Sequence, residues 1–264
     1  MTKFLTMNTT ASEKKNNLFV ILSGLFLTNA LLAEVIGVKI FSLEKTLGGT
    51  PVGWDILGMK LNFDLTAGVL LWPFVFILSD VINEYYGKKG VKRISFMTVY
   101  FICYAFVMLF IASNAVPADF WTALNSDLDI NEAYSRIFAQ SLGIIFGSLV
   151  AFLIGQFLDV ATFQWLRKLT GSRNVWLRAT GSTLISQFID SFVVLFIAFY
   201  LFGQPAWSLK QVLAVGIINY VYKFTAAVLL SPLLYVAHYV IELYLGKENA
   251  QMQAEEASKT SLIE

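Results

Sequence analysis

The 264-residue chain contains one cysteine, one histidine and five prolines, and only 14% of its residues are charged. A single cysteine, Cys103, cannot form an intramolecular disulfide, and the lone His238 has no partner at metal-site spacing. The formal net charge of +1 leaves no excess of basic residues for a nucleic-acid partner. These shortages argue against a disulfide-stapled scaffold, a histidine- or cysteine-based metal centre and a nucleic-acid-binding surface.

Common enzyme motifs are also missing from the chain. There is no HExxH, no nucleophile elbow, no glycine-rich phosphate loop and no long polar region for a soluble catalytic domain. An intramembrane aspartyl protease would need a catalytic pair, but Asp80 and Asp190 are predicted at different depths and lack flanking glycines. We therefore expect that the chain is not an enzyme and uses neither a cofactor nor a metal.

Apolar sequence is abundant, because 57% of the residues are hydrophobic and the mean hydropathy is +0.66. A helix needs about 20 mainly apolar residues to cross a bilayer. Six such runs are predicted, at 18–38, 63–82, 94–112, 137–158, 176–202 and 209–230, the last continuing past Pro232 to about 245. Soluble amphipathic helices and alternating barrel strands do not give such unbroken runs. The predicted fold is all-α, a polytopic membrane bundle of six transmembrane helices.

Basic residues set the predicted orientation of this bundle. They follow the second helix (Lys88, Lys89, Lys92, Arg93) and the fourth (Arg167, Lys168, Arg173, Arg178), whereas the loop after the third helix is acidic (Asp119, Asp127, Asp129, Glu132). Because basic loops stay inside, both termini are predicted to be cytoplasmic in a multi-pass protein of the inner membrane. Residues 1–17 form a polar cytoplasmic segment, 18–245 the six-helix domain, and 246–264 a polar cytoplasmic tail expected to be disordered.

A polar stripe marks the end of the second predicted helix. Asp80, Asn83, Glu84 and Gly87 share one helical face, since residues three or four apart are neighbours. Carboxylates at the edge of hydrocarbon are costly unless they face a cavity, a ligand or a partner. Two interpretations stay open, a ligand site or pairing with the basic residues that follow.

Two ionisable residues lie near the middle of the last two predicted helices. Gln187 and Asp190 share a face of the fifth helix with Thr183, and Asn219 lies four residues before Lys223 on the sixth. An Asp190–Lys223 ion pair would be enough to hold two helices together. Two charged side chains and two amides are more than is needed to hold two helices together, because buried ion pairs are often replaceable by apolar packing. A binding site is therefore the preferred interpretation.

The first and fourth helices add further candidates. The first carries Asn29 and Glu34, and Glu34 either faces the site or pairs with Lys39 at the interface. Small residues on the fourth helix recur every four positions and end at an aspartate: Gly143, Gly147, Ala151, Gly155, Asp159. Such a ladder indicates close helix packing, either within the chain or in a homo-oligomer. The tryptophans, Trp72 among them, fit the aromatic belts of membrane interfaces.

Three segments resemble signature motifs of the queuosine precursor transporter family, also described as vitamin-uptake-transporter-like. They are PFVFILSDVINEYYGKK at 73–89, RATGSTLISQFIDSFVV at 178–194 and YKFTAAVLLSPLLYV at 222–236, and the resemblance covers about residues 18–240. It implies a six-helix transporter that imports a 7-deazaguanine, such as preQ0 or preQ1, for salvage into tRNA modification. The implied motif positions are Asp80, Asn83, Glu84, Gly87, Ser182, Gln187, Asp190, Lys223 and Pro232. The chain departs from the usual pattern at Val91-Lys92-Arg93.

The chemistry of these side chains is compatible with such a substrate. Asp190 or Glu84 would accept hydrogen bonds from the ring N–H and the amino group of a guanine-like edge, while Lys223 orients Asp190 or a carbonyl oxygen. Gln187 and Asn219 would bind the ring carbonyl and a ring nitrogen. Aromatic side chains would provide a stacking face, from the set Phe188, Phe192, Tyr220 and Tyr222.

Two other functions stay open at this point. The chain would equally serve as the substrate-binding component of an energy-coupled vitamin importer, although only Ala33 and Gly37 resemble the small-residue stripe of such components. A structural membrane protein whose polar residues join helices is the remaining class. The expected partners are a small molecule and the lipid bilayer.

Overall fold

A computed structural model describes residues 10–124, 128–138, 142–170, 175–203 and 205–263. The helices are α1 (Ala11–Ile36), α2 (Leu43–Thr46), α3 (Trp72–Ser113), α4 (Asp119–Leu124), α5 (Ile130–Phe138), α6 (Leu142–Thr170), α7 (Val175–Leu195), α8 (Leu209–Leu245) and α9 (Lys247–Ile263). A 3-10 turn (Ala67–Leu70) precedes α3, and a π-helical segment (Phe196–Leu201) extends α7. Two residues of the predicted loops, Asp127 and Arg173, lie outside the described ranges.

Five of the described helices are long and apolar enough to cross a membrane: α1, α3, α6, α7 with its extension, and α8. This confirms a helical, multi-pass membrane bundle. Helix α1 begins at Ala11, earlier than the predicted residue 18, because Thr10 and Glu13 form a capping box. Helix α8 passes through Pro232 and ends at Leu245, in agreement with the predicted continuation to about 245.

Helix α3 contains a sharp break at Gly87, whose φ of 66° and ψ of −171° are not helical. Ser79 donates a hydrogen bond of 2.8 Å to Gln156, and the ring of Phe96 lies 5.9 Å from that of Phe157. A straight helix would separate Ser79 and Phe96 by about 25 Å. Because both contact consecutive residues of α6, the chain folds back at Gly87. The segments 72–86 and 88–113 correspond to the second and third predicted helices.

The loop between α1 and α3 contains four short strands. Strand β1 (Ile40–Ser42) pairs antiparallel with β4 (Asp64–Thr66), and β2 (Trp54–Ile56) pairs antiparallel with β3 (Met59–Leu61). The prediction that the second helix begins at 63 is therefore wrong. The apolar Leu65, which had been included in the predicted helix, packs instead with Val69 and Ile218 in a small core at this end of the bundle.

A carboxylate organises the same loop. Glu44 accepts hydrogen bonds from the backbone N–H of Phe63 at 2.8 Å and from the Ser42 hydroxyl at 3.1 Å. Slight burial disfavours its charged form, but these hydrogen bonds prevail and lower the pKa of Glu44.

The expectation that the tail from 246 onwards is disordered is wrong, because it forms α9. Ala250, Gln253 and Ala257 are buried on one face of this helix, against α3. Gln253 Nε2 donates to the backbone oxygen of Tyr85 at 3.1 Å, close to the break at Gly87. The small side chains of Ala250 and Ala257 let the polar helix approach α3 closely, which the polar composition of the tail does not reveal.

The glycine ladder of α6 packs against α7 and its extension within the same chain. A Cβ atom at Gly147 would lie 3.1 Å from the backbone nitrogen of Ala198, and one at Gly155 would lie 3.6 Å from Asp190 Cβ. Ala151, between them, is buried. The predicted packing role is therefore confirmed for these positions.

Replacing Gly147 by leucine is expected to lower the free energy of unfolding by about 1–3 kcal/mol, because the side chain would overpack the contact with Ala198. Gly24→Leu is the matched control, since a Cβ at Gly24 meets nothing within 4 Å. Thermal unfolding of both variants in detergent measures the difference. Equal stability of the two variants would contradict the close α6–α7 contact.

Candidate functional site

An ion pair joins α7 and α8 inside the bundle. Lys223 Nζ donates to Asp190 Oδ2, and the two side chains are only 12% and 16% exposed. The predicted pair is therefore present. Both charges are desolvated, so removing either partner would leave the other without compensation.

A cavity of about 420 Å³, here called the wide cavity, extends from this pair toward the end of the bundle where α1 terminates. Its polar lining includes four of the predicted site residues, Glu34, Asp190, Asn219 and Lys223. Glu34 is buried and accepts a hydrogen bond from Ser148 on α6. Residues from helices distant in the sequence thus converge on one space of a size typical for small-molecule sites, about 300–1,000 Å³.

A second cavity of about 30 Å³, the narrow cavity, extends from Lys223 in the opposite direction along α8, toward Leu234. Asp80 and Gln187, both predicted site residues, line it. Gln187 is 2% exposed, and neither atom of its side-chain amide has a hydrogen-bond partner in the part of the chain that the structure describes. An unsatisfied buried amide costs about 1–3 kcal/mol, which makes Gln187 a candidate for bonding a polar ligand.

Trp72 and Lys223 line both cavities. The Asp190–Lys223 pair therefore lies where the two cavities approach each other. The indole of Trp72 lies 5.8 Å from the ring of Phe152 and 6.1 Å from that of Phe76. The prediction gave Trp72 only a place in an interfacial belt and did not anticipate that it lines a cavity. The adjacent signature motif beginning at Pro73 was the signal that could have identified it.

The aromatic residues predicted to stack on a substrate lie elsewhere. Phe188 is 48% exposed and packs against Phe192 and Tyr220, with ring centroids 5.1 and 5.2 Å apart. The hydroxyl of Tyr222 donates to the backbone oxygen of Val69 at 3.4 Å, in the loop core. None of the four is among the described residues that line either cavity.

Asn83 and Glu84 are separated from both cavities and brace α3 against α6. Gln164 Nε2 donates to Asn83 Oδ1 at 2.7 Å, and Arg167 lies 3.4 Å from the Glu84 carboxylate. Arg167 also donates to the backbone oxygen of Ala254 on α9 at 2.7 Å. These two predicted site residues therefore belong to a polar cluster at the Gly87 end of the bundle.

Asn29 also lies outside the cavity linings. Its side-chain nitrogen donates to the backbone oxygen of Leu25, one turn earlier in α1, at 2.8 Å. The structure thus brings together Glu34, Asp190, Asn219 and Lys223, places Asp80 and Gln187 beyond Lys223, and leaves Asn29, Asn83 and Glu84 apart.

Replacing Arg167 by methionine is expected to lower the free energy of unfolding by about 3–5 kcal/mol, because it removes the cation beside a buried carboxylate. The Arg167 and Glu84 side chains are both 9% exposed. Lys15→Ala is the control, since its ion pair with Glu256 is exposed and should change stability by less than about 1 kcal/mol. Thermal unfolding tests both, and a wild-type transition for the Arg167 variant would contradict a bracing role.

A multi-pass helical bundle with a buried ion pair between two cavities defines a membrane carrier for a small molecule. Comparison with known families identifies which kind. The family described as "Putative vitamin uptake transporter" matches residues 66–237, more than half of the chain. The protein belongs to this family.

Three relatives support the same membership. A "Probable queuosine precursor transporter" of Bacillus subtilis is 31% identical over 68% of this chain and 75% of its own length. A protein of the same description from Haemophilus influenzae is 26% identical, over 71% and 72%. A "Queuosine precursor transporter" of Escherichia coli is 27% identical, over 69% and 75%. No solved structure matches the chain significantly.

Proposed function

We propose that this protein imports a queuosine precursor of the 7-deazaguanine type, such as preQ0 or preQ1, across the inner membrane for salvage into tRNA modification. The names of the three relatives support the substrate class. The observation that carries the mechanism is the Asp190–Lys223 pair, which lies between a wide and a narrow cavity. The protein acts as a carrier and catalyses no reaction.

The proposed topology has six crossings with both termini in the cytoplasm. Five apolar helices, one of which folds back at Gly87, supply six membrane segments. Lys88 and Lys89 follow the turn at Gly87, and Arg167 and Lys168 lie beside it in the last turn of α6. Because basic residues are retained on the cytoplasmic side, the Gly87 end of the bundle is expected to face the cytoplasm. The wide cavity then faces outward, and the narrow cavity faces inward.

The ion pair provides complementary partners for a deazaguanine edge. The Asp190 carboxylate would accept hydrogen bonds from the ring N–H and the adjacent amino group, and the Lys223 ammonium would donate to the ring carbonyl. A substrate inserted between them replaces the partner that each charge loses. Trp72, at the wall of both cavities, offers the aromatic face on which the ring would stack.

Transport follows from the unequal cavities. With about 420 Å³ on one side of Lys223 and about 30 Å³ on the other, the described conformation is open toward the wide cavity. Substrate binding separates Asp190 from Lys223, after which the narrow cavity must widen to receive it. The unsatisfied amide of Gln187 would then bond the substrate on the inner side.

The test is the tRNA queuosine content of cells that cannot synthesise the precursor, fed low concentrations of preQ0 or preQ1. Expression of the chain is expected to restore queuosine. Asn219→Leu, which alters the wide cavity, should lose this restoration, whereas Asn29→Leu, at an amide that bonds its own helix, should keep it. No restoration by a wild-type protein located in the membrane would contradict the proposed substrate.

A further inference from the structure

Asp159 on α6 forms a second polar centre, which neither cavity lining includes among the described residues. Its side chain is 0% exposed. Oδ1 accepts hydrogen bonds from Thr183 at 3.5 Å and from Ser186 at 3.3 Å, and Ser182 also bonds the carboxylate. Oδ2 has no hydrogen-bond partner within the described part of the chain.

Among the side chains that the structure describes, this carboxylate has no counter-charge. Of the basic side chains nearby, Lys223 pairs with Asp190 and Arg167 with Glu84, and no ion pair of the described residues includes Asp159. A fully buried carboxylate within an apolar bundle is costly unless a cation or a proton compensates it. Neutral hydroxyl groups, those of Thr183 and Ser186 at weak hydrogen-bond distances, do not supply that compensation.

The spacing of the oxygens matches the coordination shell of a cation. A strong hydroxyl–carboxylate hydrogen bond would be about 2.5–2.7 Å long, much shorter than the 3.3 and 3.5 Å observed. Oxygen ligands surround a cation of the size of Ca²⁺ or Na⁺ at about 2.4 Å, which places neighbouring ligands about 3.4 Å apart. A single carboxylate balances one positive charge, so the monovalent ion is the better match.

We propose that Asp159, Ser182, Thr183 and Ser186 bind a sodium ion between α6 and α7. Thr183 connects this site to the transport path, because its side chain bonds Asp159 while the residue also lines the narrow cavity beside Gln187. Binding of Na⁺ would therefore change the position of Thr183 in the narrow cavity, on the inner side of the Asp190–Lys223 pair. A role of this sodium ion in transport rests on the proposed transport function, but ion binding itself does not.

The test is thermal unfolding of the purified full-length protein in NaCl, with KCl and choline chloride at matched ionic strength, in the absence of any organic substrate. Specific binding to the folded state should raise the transition temperature in NaCl alone, saturably, by about 3 °C. Asp159→Asn should remove this shift. Ser186→Ala should raise the half-saturating NaCl concentration about tenfold and keeps the test decisive if the Asp159 variant does not fold.

Ser95→Ala is the matched control. Ser95 is also a fully buried serine, but among the described residues its hydroxyl bonds only the backbone oxygen of Val91 in its own helix. The NaCl response of this variant should therefore equal that of the wild type. Identical transitions in the three salts would overturn the proposal. A transition that responds to pH but not to Na⁺ would also overturn it and assign a proton to Asp159. Because no substrate is present, either result is independent of the uptake test.

Discussion

Replacing Asp190 by asparagine is expected to abolish uptake of the precursor and to lower the free energy of unfolding by about 3–5 kcal/mol. The variant would leave the Lys223 ammonium buried at 12% exposure without its counter-charge. It would also remove the carboxylate that, in the proposed mechanism, accepts two hydrogen bonds from the substrate edge. Uptake of labelled preQ1 and thermal unfolding in detergent measure the two effects on the same preparation.

The double variant Asp190→Asn with Lys223→Met separates these effects. Neutralising both partners removes the uncompensated charge, so much of the lost stability should return. Uptake should stay absent, because neither the acceptor nor the donor for the substrate is restored. A double variant that transports at the wild-type rate would show that the pair only holds α7 and α8 together.

Replacing Gly87 by alanine is expected to cost about 1–3 kcal/mol, because a φ of 66° with a ψ of −171° is accessible almost only to glycine. This residue allows segments 72–86 and 88–113 to pack side by side against α6. The variant should therefore unfold at a lower temperature and yield less folded protein in the membrane. Both quantities are measured directly on the purified and membrane fractions.

Gly24→Ala is the control for this substitution. Gly24 lies within α1, and an added Cβ meets no atom within 4 Å, so alanine should leave stability unchanged or raise it by up to about 1 kcal/mol. If Gly87→Ala is as stable as Gly24→Ala, the reversal of the chain does not depend on a glycine at position 87.

The membrane bundle and its central ion pair were predictable because their signals are local. An apolar run of about 20 residues is sufficient evidence for a spanning helix. Charges near the middle of two such runs, Asp190 and Lys223, have few alternatives to meeting each other. The packing role of the glycine ladder was likewise predictable, since small residues at four-residue spacing indicate close helix contact.

The direction in which each polar residue faces was less predictable, because it depends on packing partners distant in the sequence. Asp80, Asn83 and Glu84 form one stripe, yet Asp80 lines the narrow cavity while the other two bond α6 residues. The fold of α9 depends on a partner surface created by the break in α3. Neither effect leaves a mark on composition or periodicity.

The most direct measurement is uptake of labelled preQ1 into liposomes that contain only the purified protein, without ATP or any other subunit. We expect saturable uptake by the wild type and none by the variant Asp190→Asn with Lys223→Met. Binding without uptake would contradict a complete carrier and favour a substrate-binding component that needs an energy-coupling partner. Absence of both binding and uptake, with folded protein in the liposomes, would contradict the proposed substrate.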